Sequence, residues 1–148
     1  MPSVISSVKA LLFHKGKFLV LKEVLHKKDI WDLPGGKIEY GESPTDALHR
    51  EIQEELCLSI EIKFSVGVWY FFSATHQHQV ICHTYLCTPV GELQIDTTKN
   101  PADENFTELR WVTINEALAS KEIVLEESLV QLLEGLQIDS RFTPEIEN

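Results

Sequence analysis

The sequence predicts an α+β domain, a mixed β-sheet with helices on its faces in an α/β/α arrangement. Three observations carry that prediction. Two β-rich runs, Val4 to Phe13 and Phe18 to Val24, are separated only by His14-Lys15-Gly16-Lys17. A capped amphipathic helix follows over Pro44 to Leu56, and aromatic and β-branched runs then give way to short helical segments. With 148 residues and 43% hydrophobic content, the chain can bury one core. A single domain over residues 1–136 and a polar tail over residues 137–148 are expected.

Taken in order, the polar tetrapeptide at His14 is a hairpin signal, with glycine available for positive φ. Lys22 to Asp29 is polar and reads as a surface loop, with Lys27-Lys28 a solvated turn rather than a phosphate clamp. Trp31-Asp32-Leu33-Pro34 leads into Gly35-Gly36, read as a glycine-rich turn. Ser43 can cap the next helix, Pro44 suits its first position, and Asp46 completes a capping-box spacing. Leu48, Ile52 and Leu56 form its apolar stripe. Ile60 to Thr75 and Val80 to Val90 are strand-like, with His76-Gln77-His78-Gln79 as a hairpin loop. Gly91 to Asn105 is a long polar loop, a feature that is often functional. Leu109 to Val112 is a short strand, Thr113 to Glu116 a second capping box, and Glu126 to Leu136 a final amphipathic helix.

The formal net charge of −10 argues against a broad basic surface for nucleic-acid polymers. Three cysteines, odd in number and without knuckle spacing, fit a reducing compartment. No basic-then-apolar leader or membrane-length apolar run is present, so a cytoplasmic protein with no membrane partner is expected, as a monomer or homodimer. There is no internal repeat.

The helix over Pro44 to Leu56 places Glu51, Glu54 and Glu55 on one face, spread over roughly 100°. Like charges so spaced destabilise a helix by a few tenths of a kcal/mol per pair. A cation converts that liability into a binding site. Carboxylates are hard ligands suited to Mg²⁺, with Mn²⁺ as a substitute. A metal would also let an acidic protein accept an anionic phosphate ester. A glutamate-rich face is ordinarily just solvated; the spacing of its neighbours argues otherwise. Gly36, five residues, Glu42, seven residues, Arg50-Glu51, then Ile52, Gln53 and Glu54-Glu55 form one long pattern.

That pattern resembles the Nudix box. Every demanded position matches except the glycine after Leu56, where Cys57 stands; Leu58 restores the final apolar position. The N-terminal hairpin, the Trp31 to Gly36 lead-in and Arg110-Trp111-Val112 before a capped helix are also similar to Nudix hydrolases. The resemblance implies the Nudix fold and metal ligation by Glu51, Glu54 and Glu55, with the Gly35 carbonyl completing the shell. It implies a catalytic group of Glu51, Glu54 and Arg50, the arginine orienting a carboxylate. Glu42 would assist the metal or substrate, and Gly36 and Lys37 would meet substrate phosphate. The general base would be Glu51 or an acid of the later loop, where Asp103, Glu104 and Glu108 are available and Glu104 is preferred for reach. Trp31 is a candidate to stack a base, balanced against core packing, and core packing is the better reading for most of Trp69-Tyr70-Phe71-Phe72.

Cys57 falls where the family glycine takes positive φ, and Cβ there costs roughly 1 kcal/mol, so a strained or rearranged helix end is expected with the ligands intact. His76, His78, Cys82 and His83 could suggest zinc, but incidental hairpin histidines are the simpler reading. Subfamily markers for ADP-ribose, diadenosine polyphosphate and coenzyme A substrates are missing. The leading expectation is Mg²⁺-dependent hydrolysis of a (d)NTP or modified NTP, a small-molecule nucleotide, to monophosphate and pyrophosphate, as in MutT-type enzymes. A nucleotide-sugar or ADP-ribose pyrophosphatase is the alternative within the class. A non-catalytic nucleotide-binding regulator is the alternative outside it, and isoprenoid diphosphate isomerisation ranks low.

Overall fold

A computed structural model describes residues 1–23, 29–73, 75, 77–99 and 106–139. Its strands are β1 (Ser3–His14), β2 (Lys17–Glu23), β3 (Trp31–Asp32), β4 (Gly35–Lys37), β5 (Ile60–Phe72), β6 (His78–Pro89) and β7 (Phe106–Val112). The helices are α1 (Pro44–Leu56), α2 (Ile114–Ala119) and α3 (Glu127–Gln137). The main strand order is β3-β2-β1-β6-β5, with β4 on β1 and β7 on β2. The β1–β6 pairing is parallel and the others antiparallel, so the sheet is mixed.

The first hairpin is tight. His14 pairs with Lys17, and both intervening residues, Lys15 and Gly16, take positive φ. That is the twist a two-residue turn needs to join right-twisted strands.

The long β1 divides the molecule into layers. Its Val8, Ala10 and Leu12 pack with Leu48, Ile52 and Leu56 of α1. Leu11 and Phe13, alternating with them, pack with Leu129 and Leu133 of α3 and Ile114 of α2. Helices therefore cover both faces. The three α1 stripe residues are fully buried, each worth about 1.5–3 kcal/mol relative to exposure. That anchorage sets the rotation of α1 and so the direction of its acids.

Several boundaries differ from those read in the sequence. Gly35–Lys37 is a short strand on β1, with Lys9 opposite Gly35, instead of a turn. Backbone pairing there is invisible to propensity, because two glycines carry no strand signal. His78 and Gln79 open β6 instead of lying in the hairpin loop. The helix read as ending at Leu136 includes Gln137, whose amide donates to Asn115 Oδ1 at 2.6 Å. In β5 the aromatic run alternates: Trp69 is buried, while Tyr70 and Phe72 are exposed.

Candidate active site

Helix α1 starts where its sequence says it should. Ser43 Oγ accepts the Asp46 N–H at 3.1 Å, and Pro44 occupies the first turn. The helix ends at Cys57, held in the left-handed region at φ 51° with its N–H donated to Gln53. The cysteine thus adopts the backbone geometry that glycine would take without penalty.

Between these ends the acids meet β4. Glu55 is only 3% exposed, and its Oε1 accepts the Gly35 N–H at 2.7 Å. Gly35 itself sits at φ +143°, and a Cβ built on it would lie 2.0 Å from the Val8 carbonyl oxygen. A Cβ on Gly36 would lie 2.5 Å from a Glu51 carboxylate oxygen. The double glycine is therefore a matter of room. Gly35 lets β4 approach β1, and Gly36 lets the Glu51 carboxylate lie against the strand. Ser7 Oγ donates to the Gly36 carbonyl at 2.8 Å and steadies that strand from β1.

Arg50 ties the cluster together. Its Nε and Nη2 grip both Glu42 oxygens at 2.7 and 2.8 Å, a bidentate fork. Its Nη1 reaches Glu51 Oε1 at 3.1 Å and Glu54 Oε2 at 3.3 Å, and Nη2 also donates to the Lys37 carbonyl at 3.2 Å. The Arg50 hydrogen bond, helped by the Glu39 N–H, holds the Glu42 carboxyl down at about 2. Arg50 in turn is raised above the ordinary arginine value, chiefly by its bond to Glu42.

Gly35, Gly36, Lys37, Glu42, Arg50, Glu51, Glu54 and Glu55 thus gather in one place. Among the described residues no three His, Cys, Asp or Glu side chains close around a single point. Glu51 and Glu54 share the Arg50 Nη1, and Glu55 turns to Gly35. The donor set nonetheless fits a divalent cation. It consists of hard oxygens, two of the carboxylates already converge on one positive centre, and Glu55 is fixed in a buried position.

Other candidates lie elsewhere. Trp31 is 3% exposed and packs in the core with Leu33, with the Arg110 guanidinium 5.2 Å from its ring centroid. It is not an open stacking platform in this arrangement, because β3 is pinned inward by the Trp31 N–H to the Val124 carbonyl. Glu108 is held by Arg110 on β7. Asp103, Glu104, Lys27, Lys28 and His76 lie outside the described residues, and His78 is hydrogen-bonded to Ser3.

Sequence reasoning missed Lys9, Asp32 and Ser7. The Lys9 ammonium is 2.8 Å from Asp32 Oδ2 and 3.3 Å from the Leu33 carbonyl, on a residue only 6% exposed. Burial opposes its charge most strongly of any one cause, but Asp32, together with Cys82 and Glu55, outweighs it and keeps the lysine above its ordinary value. A lysine inside the apolar run Val8 to Phe13 was the available signal.

A family model for the NUDIX domain matches residues 5–133. Phosphatase NudJ of Escherichia coli strain K12 is 28% identical over 126 residues, covering 79% of this chain and 73% of NudJ. Among solved structures, the E. coli ORF135 protein is 25% identical with a TM-score of 0.69, covering 92% of this chain and 90% of that one. The MutT protein from Methanosarcina mazei Go1 superposes with a TM-score of 0.72 at 24% identity, covering 99% and 98% of the two chains, a likeness of fold. No helix among the described residues is long and apolar enough to cross a membrane.

Proposed function

Because this chain belongs to the Nudix family, and is thereby a hydrolase of phosphorus-containing anhydrides, we propose that its substrate is a (d)NTP or modified NTP, split to monophosphate and pyrophosphate. The observation that carries the hydrolytic, metal-assisted part of the reading is the packing of Glu51 and Glu55 against Gly36 and Gly35, beside an arginine that already joins Glu51, Glu54 and Glu42. A solvated glutamate face could hold an i,i+4 pair such as Arg50–Glu54, but not a carboxylate seated on a buried strand N–H as Glu55 is on Gly35.

Nudix hydrolases generally use divalent metals, and here Glu51, Glu54, Glu55 and the Gly35 carbonyl would hold Mg²⁺ or Mn²⁺, supplying phosphate charge neutralisation and an activated water. The chain's own residues set the geometry. Arg50 orients Glu51 and Glu54 and is itself fixed by Glu42 and the Lys37 carbonyl. Lys37, exposed at the end of β4, is proposed to meet a substrate phosphate. Water oxygen bonds to a phosphorus, the bridging P–O bond breaks, pyrophosphate departs, and the water's proton passes to a carboxylate. Glu104, two residues before β7 in sequence, is proposed for that role, with Glu51 the other candidate. Support for the triphosphate comes from the missing markers of other subfamilies.

A screen with Mg²⁺ against NTPs, dNTPs, ADP-ribose and nucleotide sugars, read by chromatography of the nucleoside monophosphate that each would yield, tests the substrate, with Glu55→Gln as background. Fastest turnover of a triphosphate is expected. Preference for ADP-ribose or a nucleotide sugar would overturn the substrate, and no turnover of any would favour a binding regulator. Glu104→Gln and Glu51→Gln, compared through their pH–rate profiles, identify the base.

A further inference from the structure

We propose that the ion pair between buried Lys9 and half-buried Asp32 is a positioning device for Glu55, acting from behind the sheet by locking the strand entry that presents the Gly35 N–H. The inference rests on the reading of Glu55 as a metal-binding acid.

Lys9 shares a face of β1 with Leu11 and Phe13, the face opposite α1. From there it grips the lead-in to β4 at two points, Asp32 Oδ2 and the Leu33 carbonyl. Asp32 uses its other oxygen to accept the Leu33 N–H at 2.7 Å. The next residue is held by the Ala10 N–H to the Pro34 carbonyl at 2.8 Å, and Gly35 then pairs with Lys9 in the β1–β4 ladder. Direct contacts therefore run without a gap from Lys9 through Leu33, Pro34 and Gly35 to Glu55 Oε1.

The energetics sharpen the point. Removing two charges from water costs several kcal/mol per ion, and apolar residues of similar volume often stabilise a fold as well or better. With Lys9 buried and Asp32 partly so, this pair carries enough of that cost to be a poor choice for stability alone. What it adds is direction: an ammonium requires oxygens at defined places, which Asp32 and the Leu33 carbonyl supply. Partners that orient a metal ligand typically affect metal affinity by 10–100-fold.

The test uses the full chain, with Mn²⁺ alone as the probe, and measures its Kd by electron paramagnetic resonance, then kcat, KM and Tm. Lys9→Met is expected to weaken Mn²⁺ by about tenfold or more and to lower kcat while KM stays within about twofold. The double variant Lys9→Met/Asp32→Leu is expected to recover Tm without recovering Mn²⁺ affinity. Where Lys9→Met does not fold, Asp32→Asn is the second variant, because it is isosteric and keeps the Leu33 N–H acceptor. Wild-type Mn²⁺ affinity in the folded double variant, or in Asp32→Asn, would overturn the proposal. So would a changed preference among nucleobases with Mn²⁺ affinity intact, since the pair would then be contacting substrate. Glu55→Gln in the same titration separates the two levels: if it leaves Mn²⁺ binding unchanged, the metal reading itself has failed.

Discussion

Arg50 and Arg110 each hold more than one glutamate, and the two groups differ in what surrounds them. Arg50 joins Glu42, Glu51 and Glu54, and two of those acids come from one helix whose buried stripe fixes its rotation. Backbone closes the group: the Lys37 carbonyl takes Arg50, Gly36 leaves room for Glu51, and the neighbouring Glu55 is seated on the Gly35 N–H. Arg110 joins Glu108 and Glu122, and Glu122 is 80% exposed. Its other contact is the Trp31 ring. Clustered charge occurs in both places; backbone shaped around the carboxylates is described for the first only. Exposed ion pairs of the second kind contribute little and tolerate loss.

The largest expected effect tests that difference directly. Glu55→Gln should lower turnover by roughly 100-fold or more, the scale of losing one group that organises transition-state charge. Arg110→Gln should leave turnover within about twofold. Steady-state kinetics on both, beside circular dichroism to confirm folding, makes the comparison. Equal losses would mean that the two arginine groups are not functionally distinct.

The double glycine allows a second separation. Gly35→Ala puts a Cβ onto the Val8 carbonyl at positive φ, and a loss of about 3 kcal/mol or more in urea denaturation is expected. Gly36→Ala meets only the movable end of Glu51, so stability should hold while turnover falls by about tenfold. A Gly36→Ala variant with full activity would show that the Glu51 carboxylate need not lie against β4.

Much of this arrangement was legible in the sequence because it is local. The apolar stripe Leu48, Ile52 and Leu56, the Ser43 cap and the acid face follow from helical periodicity and capping chemistry, and α1 begins and ends at the residues expected. What escaped was long-range pairing. The Lys9–Asp32 contact spans 23 positions, and the β1–β4 ladder depends on absent side chains, neither of which leaves a periodic trace. Trp31 shows the same limit. Its composition suits both a stacking platform and a core, and only the strand pairing of Asp32 and the Val124 contact turn it inward.

Cys57 offers a smaller, stabilising test. Its φ of 51° is a left-handed conformation that costs a residue with Cβ roughly 1–2 kcal/mol. Glycine loses more backbone entropy on folding, which offsets part of the gain. Cys57→Gly should therefore raise stability by about 1 kcal/mol in urea denaturation and leave turnover unchanged. No gain would indicate that the cysteine side chain recovers the backbone cost through its packing.

The smallest effect concerns Glu42 and acid. Its carboxyl titrates at about 2 in the folded protein, below the ordinary 4.5, because Arg50 and the Glu39 N–H bind the ionised form. A depressed folded value means that the unfolded chain takes up the proton first as pH falls. The stabilisation is therefore complete above about 4.5 and disappears between about 4.5 and about 2. Glu42→Gln removes this dependence, so the difference in Tm between wild type and variant should be constant at neutral pH and shrink across that acidic window. Partial exposure and salt screening keep the difference small, and added salt should shrink it further at neutral pH. A difference that stays constant throughout the window would mean that the Arg50–Glu42 fork holds by shape and hydrogen bonding alone, and that its charge does not distinguish it from the Arg110 group.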